Sequence, residues 1–272
     1  MELAFIGGGN MARAIIGGLL ARGTKASAIG VVEPDAAARA RLSSELGVTA
    51  IERPDASIAS SALAVFAVKP QQMREAARAG APHLSRSLVL SIAAGIRIDD
   101  LSRWLGGHGR VVRAMPNTPA LVHAGVTGLC ARPSVGAGDR KAAAALMSAV
   151  GEVLWFDREE DLDAVTAVSG SGPAYVFYAI EALEQAAREL GLAPDASRTL
   201  AVATFAGAAK LAQARGEDPA VLRAQVTSKG GTTERALEVL EAAQVKREFI
   251  AAVKAACERS RELGAALGKD PA

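Results

Sequence analysis

The chain begins Met1-Glu-Leu-Ala-Phe-Ile-Gly-Gly-Gly-Asn-Met-Ala12, and the reading of the whole fold starts from this stretch. Leu3–Ile6 is a short apolar run that leads straight into Gly7-Gly-Gly-Asn-Met-Ala12. Met11, Ile15 and Leu19 then recur at helical spacing. Strand, glycine turn and helix are the context in which G-x-G-x-x-A carries meaning. Gly7 permits the tight turn, Gly9 lets the backbone approach a pyrophosphate, and Ala12 lets the helix pack on the strand. Gly8, Asn10 and Met11 complete the turn. The free N–H groups and positive end of a helix starting near Asn10 suit phosphates. The pattern therefore reads as a dinucleotide site, against the plainer alternative of a glycine turn in an ordinary α/β unit.

The following segments repeat the theme. Ile29–Val32, a short stretch near Val48–Ile51, Ala62–Val68, Leu88–Ile92 and Arg110–Ala114 read as strands, with helices following Asp35 up to about Leu46 and from about Gln71. Ala62–Val68 is almost continuously apolar, as a parallel strand buried on both faces requires. Val126–Cys130 and Val153–Phe156 read as the last strands, flanking a helix near Ala137–Ala149. Strands alternating with helices imply an α/β architecture with a parallel, doubly wound sheet.

From Glu159 onward no strand is expected. Pro173–Leu190, Asp195–Arg215, Pro219–Val226, Thr233–Ala242 and Val245–Leu267 read as helices punctuated by Gly191, Gly216 and Gly230-Gly231. This predicts two domains, 1–158 and 159–272, the second all-helical. Gly172–Gly207 is apolar on more than one side, which points to burial in a subunit interface, or else in a thick monomeric bundle.

With 272 residues the chain is long enough for two cores. No apolar run approaches the ~20 residues of a membrane span, and Glu2 stands where a signal peptide would be basic. A net charge of +2, with basic and acidic residues interspersed, leaves no footprint for nucleic acid. Cys130 and Cys257 lie far apart and read as free thiols in a reducing cytoplasm. Together with His83, His108 and His123 they form no metal-ligand spacing, so no metal is expected.

In an open α/β sheet, ligands sit beyond the carboxyl ends of the strands. Four such ends carry unusual residues: the glycine turn, Ala67-Val68-Lys69-Pro70, Ala93-Ala94-Gly95 and Met115-Pro-Asn-Thr-Pro119. Ala93–Gly95 suits either a backbone pressed against a ribose or nicotinamide, or simple close packing. Asn117 is either a carboxamide partner or a turn cap. Lys69 either approaches the ligand or snorkels to water. In the helical half, Val168-Ser-Gly-Ser-Gly-Pro-Ala-Tyr175 and Val226-Thr-Ser-Lys-Gly-Gly-Thr-Thr233 each open a helix. The second gathers N–H groups and hydroxyls suited to a small carboxylate, the alternative being a capped helix start.

Taken in order, these motifs resemble the set found in pyrroline-5-carboxylate reductases, and they cover most of the chain. The resemblance implies a Rossmann domain followed by a helical dimerisation domain, with dimers that often assemble into decamers. It implies a cytoplasmic enzyme that reduces 1-pyrroline-5-carboxylate to L-proline with NADPH or NADH, the last step of proline biosynthesis. Cofactor contacts map onto Gly7–Met11, Ala67–Pro70 and Ala93–Gly95. The substrate loop maps onto Ser228, Gly230, Gly231, Thr232 and Thr233. Lys229 departs from the proline found in many members. A protonated cyclic imine is already electrophilic, so alignment is the main task, and no histidine or carboxylate pair is needed. Ser228 and Thr233 are the candidates to hold the carboxylate, with Thr233, or a water it holds, near the ring nitrogen.

Glu33 ends the second strand roughly 20 residues beyond the glycine turn, where an acid bonds a ribose 2′-hydroxyl in NAD-binding proteins. Such an acid repels a 2′-phosphate unless Arg39, Arg41 or Arg53 compensates; the alternative is that Glu33 points away as a solvated turn residue. A β-hydroxyacid-type dehydrogenase shares the predicted architecture, but no lysine or histidine in the Ser169–Tyr175 region is placed as its base. A non-catalytic dinucleotide sensor would not need two ligand loops.

Overall fold

The computed structural model describes residues 1–268. Eight strands form one sheet: β1 (Leu3–Ile6), β2 (Ile29–Val32), β3 (Thr49–Ile51), β4 (Leu63–Phe66), β5 (Leu88–Ser91), β6 (Val111–Met115), β7 (Gly125–Ala131) and β8 (Gly151–Trp155). Their spatial order is β3-β2-β1-β4-β5-β6-β7-β8. The order reverses direction between β1 and β4, which is where a doubly wound sheet opens a crevice.

Alternating residues of each strand feed two cores. Phe5, Val31, Val65 and Val112 face helices α1 (Asn10–Ala21), α2 (Ala36–Leu46) and α5 (Ala137–Ser148). Ala4, Ile6, Phe66 and Val89 face α3 (Met73–Gly80), α4 (Ile98–Trp104) and α6 (Asp161–Val165). The doubly wound arrangement is thus present, with one departure from an all-parallel sheet. β6 and β7 pair antiparallel, whereas β7 and β8 pair parallel around α5. Only the turn Thr118–Val122 lies between β6 and β7, too short for the dozen or more residues of a parallel crossover. Helix α4 was not expected from the sequence. Its Ile98, Leu101 and Trp104 form the buried stripe.

The remaining helices are α7 (Gly172–Glu189), α8 (Pro194–Arg215), α9 (Pro219–Gln225), α10 (Thr232–Ala242) and α11 (Val245–Leu267). By contacts the chain divides into two units. One is Met1–Ser171 with the chain from Ala256 on, the other Gly172–Ala255. The boundary expected after residue 158 therefore falls inside the first unit. Leu162 and Val165 of α6 pack into the sheet's core, which holds that segment to the strands. A π-helical turn, Thr166–Gly170, follows α6 and ends where the second unit begins.

The second unit has almost no interior of its own. Among its described residues only Ser197 and Ala201 are buried. Phe177, Tyr178, Leu200 and Phe249 are each more than half exposed. So much apolar surface in one chain marks an interaction face.

The first unit has a charged group at its centre. Arg113, in β6, is 1% exposed. Its Nη1 donates to Glu159 at 3.0 Å, and the same carboxylate oxygen accepts the Ile98 N–H at 2.8 Å. Burial pushes the Arg113 guanidinium down from its usual range, and Glu159 pushes back. Beside it, Arg97 pairs with Asp163 at 2.7 Å, and Asp163 also accepts the Ser260 hydroxyl at 2.8 Å. Removing one member strands a buried charge. Arg113→Met is expected to cost about 3 kcal/mol in urea unfolding, the lower end because Glu159 retains some solvent. Adding Glu159→Gln should restore part of the loss.

Candidate functional site

The end of β1 meets the end of β4 at the switch point. Gly7 has φ +100°, and a Cβ there would lie 2.7 Å from the Ala67 carbonyl oxygen and 2.9 Å from Val68 Cγ1. Only glycine fits this turn. Its N–H donates to the Val32 carbonyl at 2.8 Å, tying the turn to β2.

Gly9 is the N-cap of α1, with extended backbone, no side-chain cap and no acid in the first turn. A Cβ on Gly9 would meet nothing within 4 Å. The N-terminus of α1 thus presents uncapped N–H groups to an open space, the arrangement that holds a pyrophosphate. Asn10 is exposed beside it, and half-buried Met11 packs against the core.

Glu33 stands at the end of β2 and secures the turn from the other side. Its Oε2 accepts the Gly8 N–H at 2.9 Å, and its Oε1 accepts the Asp35 N–H at 3.0 Å. Of the three arginines weighed as compensating charge, Arg39 donates to the carbonyls of Glu33 and Pro34, at 2.8 and 2.7 Å. Arg53 pairs with Glu52 at 3.4 Å, and Arg41 is exposed. None of the three is held against the Glu33 carboxylate by a hydrogen bond or ion pair.

The other strand ends divide. Lys69 is exposed, and Pro70 opens the 3₁₀ turn leading into α3. Ala94 is exposed, whereas Ala93 and Gly95 are buried. Gly95, at φ +76°, is pressed against Leu267 of α11, so close packing explains this residue. Asn117 uses its side-chain oxygen to accept the Val126 N–H at 2.9 Å, which places it with the turn-holding alternative. The sequence offered both roles as alternatives and left them open, because the partner of each lies in a different element. Cys130 is buried, and burial and Glu159 raise its thiol above the ordinary range.

In the helical unit, Ser228–Gly231 forms a turn closed by the Gly231 N–H to the Ser228 carbonyl at 3.0 Å. Gly230 is left-handed, with φ +72°. The Gly230 N–H donates to the Glu234 carboxylate at 2.6 Å. Both glycine amides of the expected anion loop are therefore engaged. The first-turn amides of α10, from Thr232 and Thr233, remain as orphan donors. The N-cap is Gly231, with no side-chain cap, so Thr233 does not serve as the cap. Its half-buried hydroxyl stands in the first turn beside exposed Ser228, Lys229 and Thr232. At the start of α7, Tyr175 packs edge-on against Phe249 at 5.7 Å.

The glycine turn at the sheet's switch point, its uncapped helix and the acid behind it define a dinucleotide-binding α/β protein, here continued by a helical half without its own core. Comparison with known proteins narrows the class. Residues 159–263 match the family model for pyrroline-5-carboxylate reductase dimerisation, and residues 2–95 that for NADP oxidoreductase, coenzyme F420-dependent. The pyrroline-5-carboxylate reductase of Pseudomonas aeruginosa is 44% identical, covering 98% of each chain. A solved structure of the Coxiella burnetii reductase matches with TM-score 0.91 and 39% identity, covering 96% of this chain and 98% of its own. The Plasmodium falciparum enzyme, solved with NADP bound, matches with TM-score 0.85 and 29% identity over 97% and 98%. The chain belongs to the pyrroline-5-carboxylate reductase family.

The open space at Gly9 is directly testable. Its backbone is ordinary and nothing crowds a Cβ, so Gly9→Val should fold like the parent. A side chain there would fill the open space that the uncapped start of α1 faces. The Kd for reduced nicotinamide dinucleotide is expected to rise at least tenfold, or about 1.4 kcal/mol, by fluorescence titration. Unchanged affinity would remove the α1 start from the site.

Proposed function

We propose that this chain catalyses the reduction of 1-pyrroline-5-carboxylate to L-proline with NADPH or NADH, as the last step of proline biosynthesis. Family membership across nearly the whole chain carries this reading, and the cradle around Gly7 and Gly9 fits the dinucleotide. NAD(P)H, when bound, supplies the hydride. Gly7–Met11 hold the pyrophosphate, while Ala67–Pro70 and Ala94 border the rest of the dinucleotide. Residues 159–272 form the dimerisation and substrate-binding portion, and the working protein is a cytoplasmic homodimer or an assembly of dimers up to a decamer. The bare apolar faces of α7, α8 and α11 support association, since each copy would bury the other's.

The residues proposed for the imino acid are Ser228, Gly230, Gly231, Thr232 and Thr233. The carboxylate is bonded by the amides of Thr232 and Thr233 at the start of α10 and by the hydroxyls of Ser228 and Thr233. Gly230 and Gly231 keep the approach clear of side chains. Thr233, or a water it holds, delivers the proton to the ring nitrogen. With the ring so held, the reaction needs orientation more than acid–base strength. The activity itself is tested by following loss of nicotinamide absorbance with 1-pyrroline-5-carboxylate and each reduced cofactor. Dinucleotide binding without turnover would favour a sensor.

A hydrogen bond to a charged group contributes about 1.5–3 kcal/mol. Thr233→Ala is therefore expected to lower kcat/KM for the imino acid roughly ten- to a hundredfold, with cofactor affinity unchanged. Because Gly231 is the cap, the melting temperature should stay near the parent's. Wild-type kinetics would take Thr233 out of the site.

Glu33 is expected to penalise a 2′-phosphate while leaving both cofactors usable. Glu33→Ser should raise the NADPH-to-NADH ratio of kcat/KM. An unchanged ratio would mean that the carboxylate serves only the Gly8 and Asp35 amides.

Light scattering at micromolar concentration is expected to give a dimer or a multiple of it. A monomer would contradict the reading of the helical faces.

A further inference from the structure

The loop after β5 is not held by the sheet alone. Gly95 turns left-handed beneath the end of α11: a Cβ on it would lie 2.9 Å from Leu267 Cδ1 and 3.7 Å from the Gly264 nitrogen. Arg97, two residues on, lies across Gly264, where an added Cβ would come within 3.1 Å of its Nε. The same guanidinium pairs with Asp163 at 2.7 Å, and Asp163 accepts the Ser260 hydroxyl at 2.8 Å. Ser260, Gly264 and Leu267 are spaced four and three residues apart, so they form one stripe of the helix. Ser260 and Gly264 are buried, and Leu267 packs against the core beneath the loop. The stripe touches Gly95 by packing and Arg97 by close approach, and it bonds to Arg97's carboxylate partner. Ala94, between buried neighbours, is left exposed.

We propose that the last turns of α11 are a positioning element of the cofactor site, fixing the Ala93–Gly95 loop so that Ala94 borders the dinucleotide. This rests on the reading of that loop as cofactor-binding. Gly264 leaves room for Arg97 to reach Asp163, Leu267 sets the height of Gly95, and Ser260 orients Asp163. A loop displaced by about 1 Å no longer matches its ligand, and misplacement on that scale costs up to about a hundredfold in rate. The stripe lies in the sequence far from every dinucleotide motif, which is why only the folded chain brings it to the loop.

The test compares Leu267→Ala, Gly264→Val and Ser260→Ala with Ala94→Leu, which alters the loop itself. Each is measured for NADH and NADPH Kd by fluorescence, for KM of both substrates, and for melting temperature. The expected result is a rise of about tenfold in cofactor Kd, or about 1.4 kcal/mol, for Ala94→Leu and for at least two stripe variants. The KM for 1-pyrroline-5-carboxylate should stay unchanged. Leu267→Met, which conserves volume, should bind cofactor like the parent, whereas loss of binding through general destabilisation would follow melting temperature across all variants. If Ala94→Leu weakens binding and the folded stripe variants bind normally, the positioning role is overturned. If Ala94→Leu leaves affinity unchanged, the loop is not part of the cofactor site and the reading beneath the proposal fails. Should one stripe variant not fold, the other two decide.

Discussion

The close approach of Gly7 to the Ala67 carbonyl is the constraint on which the molecule's working half depends. Any side chain at residue 7 would drive β1 and β4 apart at the point where the sheet reverses its winding. With the two strands in contact, the turn that follows β1 must open upward into α1, and the helix starts with its amides facing the crevice. Glu33 completes the geometry by accepting the Gly8 and Asp35 N–H groups with its two oxygens. The glycine adopts this backbone freely, hydrogen bonds to Val32 and Glu33 fix it, and the turn is shaped before any ligand arrives. Preorganisation of this kind reduces the ordering cost of binding.

The helical half follows a different logic. A sheet covered on both faces is satisfied within one chain, whereas helices α7 to α10 carry no buried large apolar side chain among the described residues. Their alanine-rich surfaces can approach another helix closely, and their scattered leucines and aromatics gain burial only when a second surface covers them. Folding of this part and association are therefore two views of one free-energy balance. The family match over residues 159–263 to a dimerisation model accords with that balance.

Much of this was legible in the sequence, and the parts that were not have physical causes. The glycine turn, the apolar strands and the punctuated helices announce themselves through local spacing, so the strands through β6 and the helices from Gly172 on lie close to their expected positions. The reversal of β7 was hidden because an apolar strand looks the same in either direction. Only the short Met115–Gly125 link carried the information. Helix α4 was missed although its apolar spacing and its acids Asp99 and Asp100 in the first turn are present. Arg113 gave no warning, being one polar residue among valines and alanines. Its partner Glu159 and the Arg97–Asp163–Ser260 chain join distant segments, which no periodicity reports. In the candidate site, the glycine turn was read from local pattern. The occupation of Asn117 by Val126, the packing of Gly95 and the engagement of the Gly230 and Gly231 amides depend on neighbours that the chain acquires only on folding.

The contrast between those two kinds of residue bears on the chemistry. A protonated imine carries its own electron deficiency, so a reductase acting on it gains little from a buried base with a shifted pKa. What it requires is a fixed distance and angle between donor and acceptor carbons, and such precision comes from backbone held by backbone. Glycines, alanines and prolines recur at the strand ends here, with positions set by the main chain and few rotamers to fix, and Lys69 stands exposed among them. Several charged residues serve as braces: Glu33 holds the turn, and Arg97, Arg113, Asp163 and Glu159 hold the layers beneath the loops. Glu33 and the Arg97–Asp163 and Arg113–Glu159 pairs thus hold the frame on which the glycine turn is set.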